Sequence, residues 1–397
     1  MKNIIHLLIV AFACMPGAVL AAERSAEVEL AVDSSMPRLE LDPVNAFTGE
    51  QSTGHVPHAL FRLQYMEEGL IPGASAVEID FNTDSLQLSW LWPELFGERT
   101  YSRLYGRGQA LYGNMLADHA INGKQVSERG FGAGYLLAGG FFRFTPLQES
   151  SLQVSFDGLF EARQWFHYRL PATHPDLILP ANHPSFESTV SLDVIYGEYR
   201  TRFNRLHGVK LKSDGLFLIR PGIQDWGSIN NEDNGRNANL GLLATRLKLT
   251  GEGSAIGPLM GGIKPVLHSK FQAGYGAGLD DRHRFMIGGV SPFVVRLAGA
   301  GWAEFLSDRF VSGHLNVGMI AFDYLLLEAG VDLVLLNDPM REGEMNQFNL
   351  FRGYFAQSEL ALADRFSLLT VLSFASGSHR KEDALHPAVW SAIKWRM

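Results

Sequence analysis

The chain has 397 residues, a formal net charge of −8, 46 % hydrophobic and 19 % charged residues, and a single cysteine. The acidic balance argues against nucleic acid as a partner, and one cysteine excludes a small disulfide scaffold. Mean hydropathy near zero fits a soluble protein and equally a membrane barrel, whose lipid-facing and lumen-facing residues average out along each strand.

Residues 1–21, MKNIIHLLIVAFACMPGAVLA, carry Lys2, a short apolar core from Ile4 to Ala13, a break at Pro16-Gly17 and small residues around Val19-Leu20-Ala21. This predicts a cleaved secretory signal peptide; the apolar run is too short to cross a bilayer as a helix. Cys14 raises a lipoprotein alternative, which the bulky Phe12 disfavours. Residues 22–57 are polar and acidic and are interrupted by Pro37, Pro43 and Pro57. They predict a flexible periplasmic leader.

From His58 to Met397 the pattern has a period of two. SLQVSFDGLFEAR places Leu152, Val154, Phe156, Gly158, Phe160 and Ala162 on one face, with Gln153, Ser155, Asp157, Glu161 and Arg163 on the other. SLQLSW, STVSLDVIY and HSKFQAGY alternate in the same way. Such runs are strands with one apolar and one polar face. A soluble sandwich would show the same alternation. Three features favour a barrel: the runs recur along the chain, many have about the ten residues a tilted membrane strand needs, and aromatics cluster at run ends as in SWLWPELF and RQWFHY. The longest candidate for a membrane helix, Ile320–Leu336, is broken by Asp323, Glu328 and Asp332. The expected fold is therefore all-β, a transmembrane antiparallel β-barrel over residues 58–397. At roughly 20 residues per strand and connection it holds about 16 strands, within 12–16. Closure also removes the unpaired edges an open sheet of this size would expose.

The last segment, HPAVWSAIKWRM, puts Ile393, Trp395 and Met397 on one face. It resembles the C-terminal sorting signal of bacterial outer-membrane barrels, with Met397 where the terminal aromatic usually stands.

GGVSPFVVRLAG, residues 288–299, resembles the pore-loop motif of the outer-membrane assembly-factor superfamily, the bacterial surface antigen group that includes BamA and TamA. In those barrels a long loop folds into the lumen with a double glycine followed by a Val-Arg-Gly-aromatic element. Gly288, Gly289, Val295 and Arg296 match; Leu297 stands in place of the motif's glycine, and the spacing is longer. Glu328-Ala329-Gly330 is similar to the family's Asp-Ala-Gly on a following strand. The resemblance, clearest over residues 283–336, implies an all-β barrel working in transport or assembly across the outer membrane. A leader confined to 22–57 implies a barrel-only relative without POTRA modules. A guanidinium in a narrow lumen needs a carboxylate, so Arg296 is expected to meet Glu328, with Asp323 and Asp332 as alternatives. The bland alternative is an arginine reaching for headgroups at a strand end.

Other constellations carry less. His119 with Asn122, and Asp280 and Asp281 with His283, could decorate the rim of a barrel hydrolase, but no Gly-x-Ser-x-Gly element accompanies them. His167, His174 and His183 have irregular spacing for a metal site, and the glycine-rich stretches lack the Gly-Lys-Ser/Thr of a phosphate loop. No cofactor, metal or nucleic acid is expected. The expected surroundings are the outer membrane of a Gram-negative cell, with outer-membrane lipids, lipopolysaccharide and, during insertion, the assembly machinery as partners. A passive porin-like channel, a barrel hydrolase and an exported soluble sandwich remain the alternatives.

Overall fold

The computed structural model describes residues 24–33, 58–68, 76–82, 85–111, 120–121, 124–125, 131–149, 151–169, 175–200, 203, 205–227, 236–237, 240–280, 282–290, 294–300, 305–337, 348–362, 366–376 and 388–396. The expected signal peptide, Cys14, His119, Asn122, His174, Asp281 and Met397 lie outside the described residues.

Sixteen strands form one closed antiparallel barrel. They are β1 (Arg24–Asp33), β2 (His58–Glu68), β3 (Ala76–Asn82), β4 (Ser85–Pro93), β5 (Thr100–Leu111), β6 (Phe131–Gln148), β7 (Leu152–Arg169) and β8 (Pro184–Arg200). The second half comprises β9 (Arg205–Ile219), β10 (Leu243–Ile256), β11 (Ile263–Ala277), β12 (Arg309–Ala321), β13 (Leu325–Asn337), β14 (Phe348–Leu362), β15 (Phe366–Ser376) and β16 (Ala388–Arg396). Each strand pairs with its sequence neighbour, and β1 closes the wall on β16 with Glu27 opposite Arg396 and Asp33 opposite Trp390. Among the described residues no helix is long and apolar enough to cross a membrane.

The alternation sets the two faces. Phe156 and Phe160 on β7, Val190 on β8, Leu211 and Phe217 on β9, and Leu315 and Val317 on β12 are exposed on the outside, Phe160 at 60 %. An outer surface this apolar suits lipid and not water. The interleaved residues, such as Glu161, Arg163, Asp193, Lys212, His314 and Asp332, line the lumen. There they pair with one another: Arg143 with Asp157 at 2.7 Å, Arg163 with Glu161 at 2.8 Å, Lys210 with Asp193 at 3.2 Å.

The expected boundary at residue 58 is wrong. Arg24–Asp33, assigned to a flexible leader, is the first wall strand, paired with both β2 and β16. Its acids belong to a lumenal face: Glu29 meets Lys394 at 3.2 Å, while Leu30 points outward. Acidity that would keep a soluble segment unfolded is an ordinary inner-face composition in a barrel. Residues 34–57 of the expected leader lie outside the described residues. The tallest strands also exceed the expected ten residues, with 18 each in β6 and β7 and 17 in β8. The tops of β6 and β7 carry Phe131, Tyr135 and Trp165, which pack with Leu177 and Trp226 from the connections above them.

Connections differ at the two ends. Residues 257–262 and 322–324 turn back tightly at the end that holds the start of β1 and the finish of β16. The connections after β7, β9 and β11 are longer, and their described parts, including 175–183, 220–227 and 282–290, lie at the other end. Two of the long ones are stitched together, Ile178 and Gly227 exchanging backbone hydrogen bonds of 3.1 and 2.8 Å.

Candidate functional site

The connection 278–308, between β11 and β12, folds into the barrel. Phe285–Ile287 and Phe305–Ser307 form a small antiparallel hairpin. Beyond it Gly288 N–H donates to the Val295 carbonyl at 3.0 Å, and Leu297 N–H donates to the Gly289 carbonyl at 3.2 Å. The two glycines and the Val-Arg pair singled out in the sequence are thus parts of one local structure. Both glycines have positive φ, 126° and 76°, which side chains with a Cβ rarely adopt. Leu297, the departure from the motif, is buried with Ile287, Val295, Phe305 and the wall residues Phe310, Val334, Leu336 and Phe351. Ala298 packs onto Phe355, Val371, Trp390 and Ala392 on the inner face of β14–β16. The wall makes room by omission: a Cβ on Gly353 would collide with the Ala298 backbone, and one on Gly274 with Phe285.

Arg296 points at the wall. Its Nε and Nη2 donate to Asp332 Oδ1 at 3.2 and 2.9 Å, and Nη2 also reaches Asn316 Oδ1 at 3.2 Å. The guanidinium lies 4.2 Å from the centre of the Phe355 ring. Asp332 is fully buried and takes two more donors, His314 Nδ1 at 2.9 Å and the Ala298 N–H at 2.9 Å. A buried carboxylate is tolerable only with such a set. The acid that meets Arg296 is therefore Asp332 and not Glu328. Both face inward on β13, but register puts Asp332 opposite His314 and Glu328 opposite Gly318. Glu328 instead accepts from Gln357. Asp323, the other alternative, sits in an end turn and pairs with Lys264 at 2.7 Å.

The first half of the loop is held on the facing wall by a second cluster. Asp280, fully buried, accepts from Arg282 Nη2 at 2.6 Å and Nε at 3.2 Å, contacts His283 Nδ1 at 2.5 Å, and lies 3.5 Å from Arg220 Nη1. Arg220 Nη2 donates to the Gly278 and Gly241 carbonyls at 2.6 and 3.0 Å. The other face of His283 meets Glu187 on β8 at 3.4 Å, and Glu187 is held by Arg163 at 3.0 Å. Arg282 donates to His167 Nε2 at 3.0 Å and stacks over Trp165 at 4.8 Å. The loop is thus clamped to β7–β8 at one end and β12–β14 at the other.

These contacts take His283 out of the candidate hydrolase constellation. Both ring nitrogens of His283 are taken by carboxylates, so neither can activate a serine. His167 and His183 stack face to face at 6.3 Å instead of converging. Among the described residues no group of three His, Cys, Asp or Glu is placed to hold a metal ion.

The Asp280 cluster has a definite pH response. Burial drives His283 toward its neutral form, but Asp280 and Glu187 outweigh it, and its pKa lies above the ordinary 6.5. Such a group stabilises the fold fully below about pH 6.5 and less as pH rises through the folded value. Burial would raise Asp280, yet Arg282 and His283 outweigh it and hold it well below 3.8. Its contribution is present above that ordinary value and is lost only as pH falls through the folded one. Protease protection of the loop is expected to weaken on the alkaline side, and to do so in wild type but not in His283→Gln. Equal profiles for the two would remove His283 from the clamp.

No family model matches the sequence, and no curated protein sequence matches it. Solved structures match the fold. BamA from Haemophilus ducreyi lacking POTRA domains 1–3 superposes with a TM-score of 0.57 at 10 % identity, over 94 % of this chain and 70 % of that one. CdiB from Escherichia coli gives a TM-score of 0.57 at 10 % identity over 94 % of this chain and 63 % of that one. CdiB from Acinetobacter baumannii gives 0.54 at 9 % over 96 % and 60 %. The chain spans between 60 % and 70 % of the length of these three proteins. At such identities the likeness is one of fold.

Proposed function

We propose that this chain is an outer-membrane barrel of the BamA/TamA-like assembly-factor type, exported by a cleaved signal and working in transport or assembly across the outer membrane of a Gram-negative cell. The observation that carries the reading is the inward loop: its double glycine and Val-Arg pair are built into one structure whose arginine is seated on a buried wall aspartate. The BamA-like and CdiB-like fold supports it. In this reading the apolar outer wall faces outer-membrane lipid, the long connections face lipopolysaccharide, and the assembly machinery acts during insertion.

A passive porin-like channel is less well supported, because a diffusion pore needs an open lumen and this loop contacts walls on both sides. A catalytic role has no nucleophile–base pair to rest on among the residues named above.

The test begins with washed outer membranes run unboiled and boiled on a gel, then purified protein in planar bilayers. Faster migration of the unboiled band together with low, unsteady conductance is expected. A large steady conductance would favour the porin, and a soluble periplasmic protein with one mobility would end the barrel reading. Deleting the gene should deplete a surface protein or polymer from the outer membrane; an unchanged surface would remove the transport role.

A further inference from the structure

The lumen wall of β9–β12 carries more cations than carboxylates. Three inward-facing rungs of the sheet lie side by side. Register sets Asp214, Lys248, Gly274 and Phe310 in one, Lys212, Thr250, Gln272 and Ser312 in the next, and Lys210, Glu252, Lys270 and His314 in the third. Adjacent strands stand about 4.8 Å apart, so Lys248 and Lys270 flank the Thr250–Gln272 pair from opposite corners.

The acids of this patch are engaged elsewhere. Asp193 pairs with Lys210 at 3.2 Å, Asp214 with Lys212 at 2.8 Å, and Glu252 with His268 at 3.2 Å. Asp332, on the next strand, is held by Arg296 and His314. Among the described residues Lys248 and Lys270 form no ion pair. Each stands among several cations and fewer acids: Lys270, Arg246 and Lys212 repel Lys248 while Asp214 attracts it, and Arg296 and Lys210 repel Lys270 while Glu252 and Asp332 attract it. Two partly buried ammonium groups whose nearest acids are shared with other partners are costly unless a further anion joins them. A second, independent observation lies on the same rungs. Ser312 Oγ is fully buried without a hydrogen-bond partner, and so is Nε2 of His314, which is 4 % exposed. Gln272 reaches Thr250 Oγ1 only at 3.4 Å, which leaves the threonine hydroxyl free to donate.

We propose that this lumenal patch is a binding site for a phosphate group, with Lys248 and Lys270 supplying charge and Thr250 and Ser312 supplying hydroxyl donors. The donor set suits a tetrahedral oxyanion, which can accept from several directions at once, and lysine is a point-charge partner for phosphate. The phosphate belongs either to the free anion or to a phosphorylated lipid headgroup. The site does not depend on what the barrel carries.

The test uses the full chain purified in zwitterionic detergent. Radiolabelled inorganic phosphate and a short-chain phosphatidic acid are each measured by equilibrium dialysis against wild type and the Lys248→Gln/Lys270→Gln double variant. Wild type should bind at least one probe, and the double variant should bind it at least about tenfold more weakly, as expected for losing charge-assisted bonds. Binding of inorganic phosphate identifies the free anion as sufficient; binding of the lipid analogue alone assigns the site to a headgroup. No binding of either probe, or equal binding by variant and wild type, overturns the proposal. Should the double variant fail to show the faster unboiled gel band, the wild type is acetylated on its amines with and without the probe. Protection of Lys248 and Lys270 above that of Lys264 in its end-turn ion pair supports the site, and uniform labelling overturns it.

Discussion

An Asp332→Ala variant will lose about 3–5 kcal/mol of stability, the usual effect of removing one partner from a buried charge pair. Alanine at this position abandons three donors at once: the Arg296 guanidinium, His314 Nδ1 and the Ala298 N–H. Arg296 keeps only Asn316 and the Phe355 face. Neither neutralises it. Urea unfolding in lipid vesicles, followed by tryptophan fluorescence, measures the loss. Asp332→Asn preserves shape and acceptor oxygen and should fall between wild type and alanine. Glu328→Ala is the informative comparison, because Glu328 is the acid that the motif alone selects. It should cost less than Asp332→Ala. The opposite order would return the arginine's partnership to Glu328 and contradict the register of β12 on β13.

Asp280→Ala should do comparable damage, again about 3–5 kcal/mol, on the opposite wall. It leaves Arg282, Arg220 and His283 gathered without the carboxylate between them, in a place where Asp280 and Arg220 have no solvent exposure. The two clamps hold one loop, so their functional effects should not add simply. With either clamp alone the loop stays in the lumen, and bilayer conductance remains near wild type. In Asp280→Ala/Asp332→Ala the loop has no polar anchor on either wall, and conductance should rise well above the sum of the two single changes. Additive conductance would mean that the apolar contacts of Ile287, Val295 and Leu297 hold the loop without the clamps.

The barrel was legible because lipid and lumen impose opposite chemistries on alternate residues. Phe156 and Phe160 read correctly as one face, and even the exception, Leu159, has its reason: it turns inward and packs against the aromatic cluster of β5–β7. The count of about 16 strands followed from the length and agrees with the closed sheet. The first strand was missed because the segment reads as polar and acidic in composition, although Glu27 and Glu29 alternate with Val28 and Leu30. At the site, the sequence located the loop and its arginine but could not choose the acid. Residues 328 and 332 differ by an even number and therefore share a face; only the register of β13 against β12, a long-range property, decides between them. The Asp280 cluster was visible only as polar letters, since Glu187, Arg163 and His167 come from strands distant in sequence.

The seam between β1 and β16 has a consequence for the order of events in biogenesis. It joins residues 27–33 to residues 390–396, nearly the largest sequence separation the chain permits. Every other wall pairing is between neighbours in sequence and can form as a hairpin. The circle can close only when β16 reaches β1, and loop-closure entropy penalises that contact more than any pairing of sequence neighbours. Until it forms, the sheet has two free edges, on β1 and on β16, and both would be open to another chain. A sheet without β16 would leave β1 lacking its second partner, so closure of the barrel depends on this one nine-residue strand.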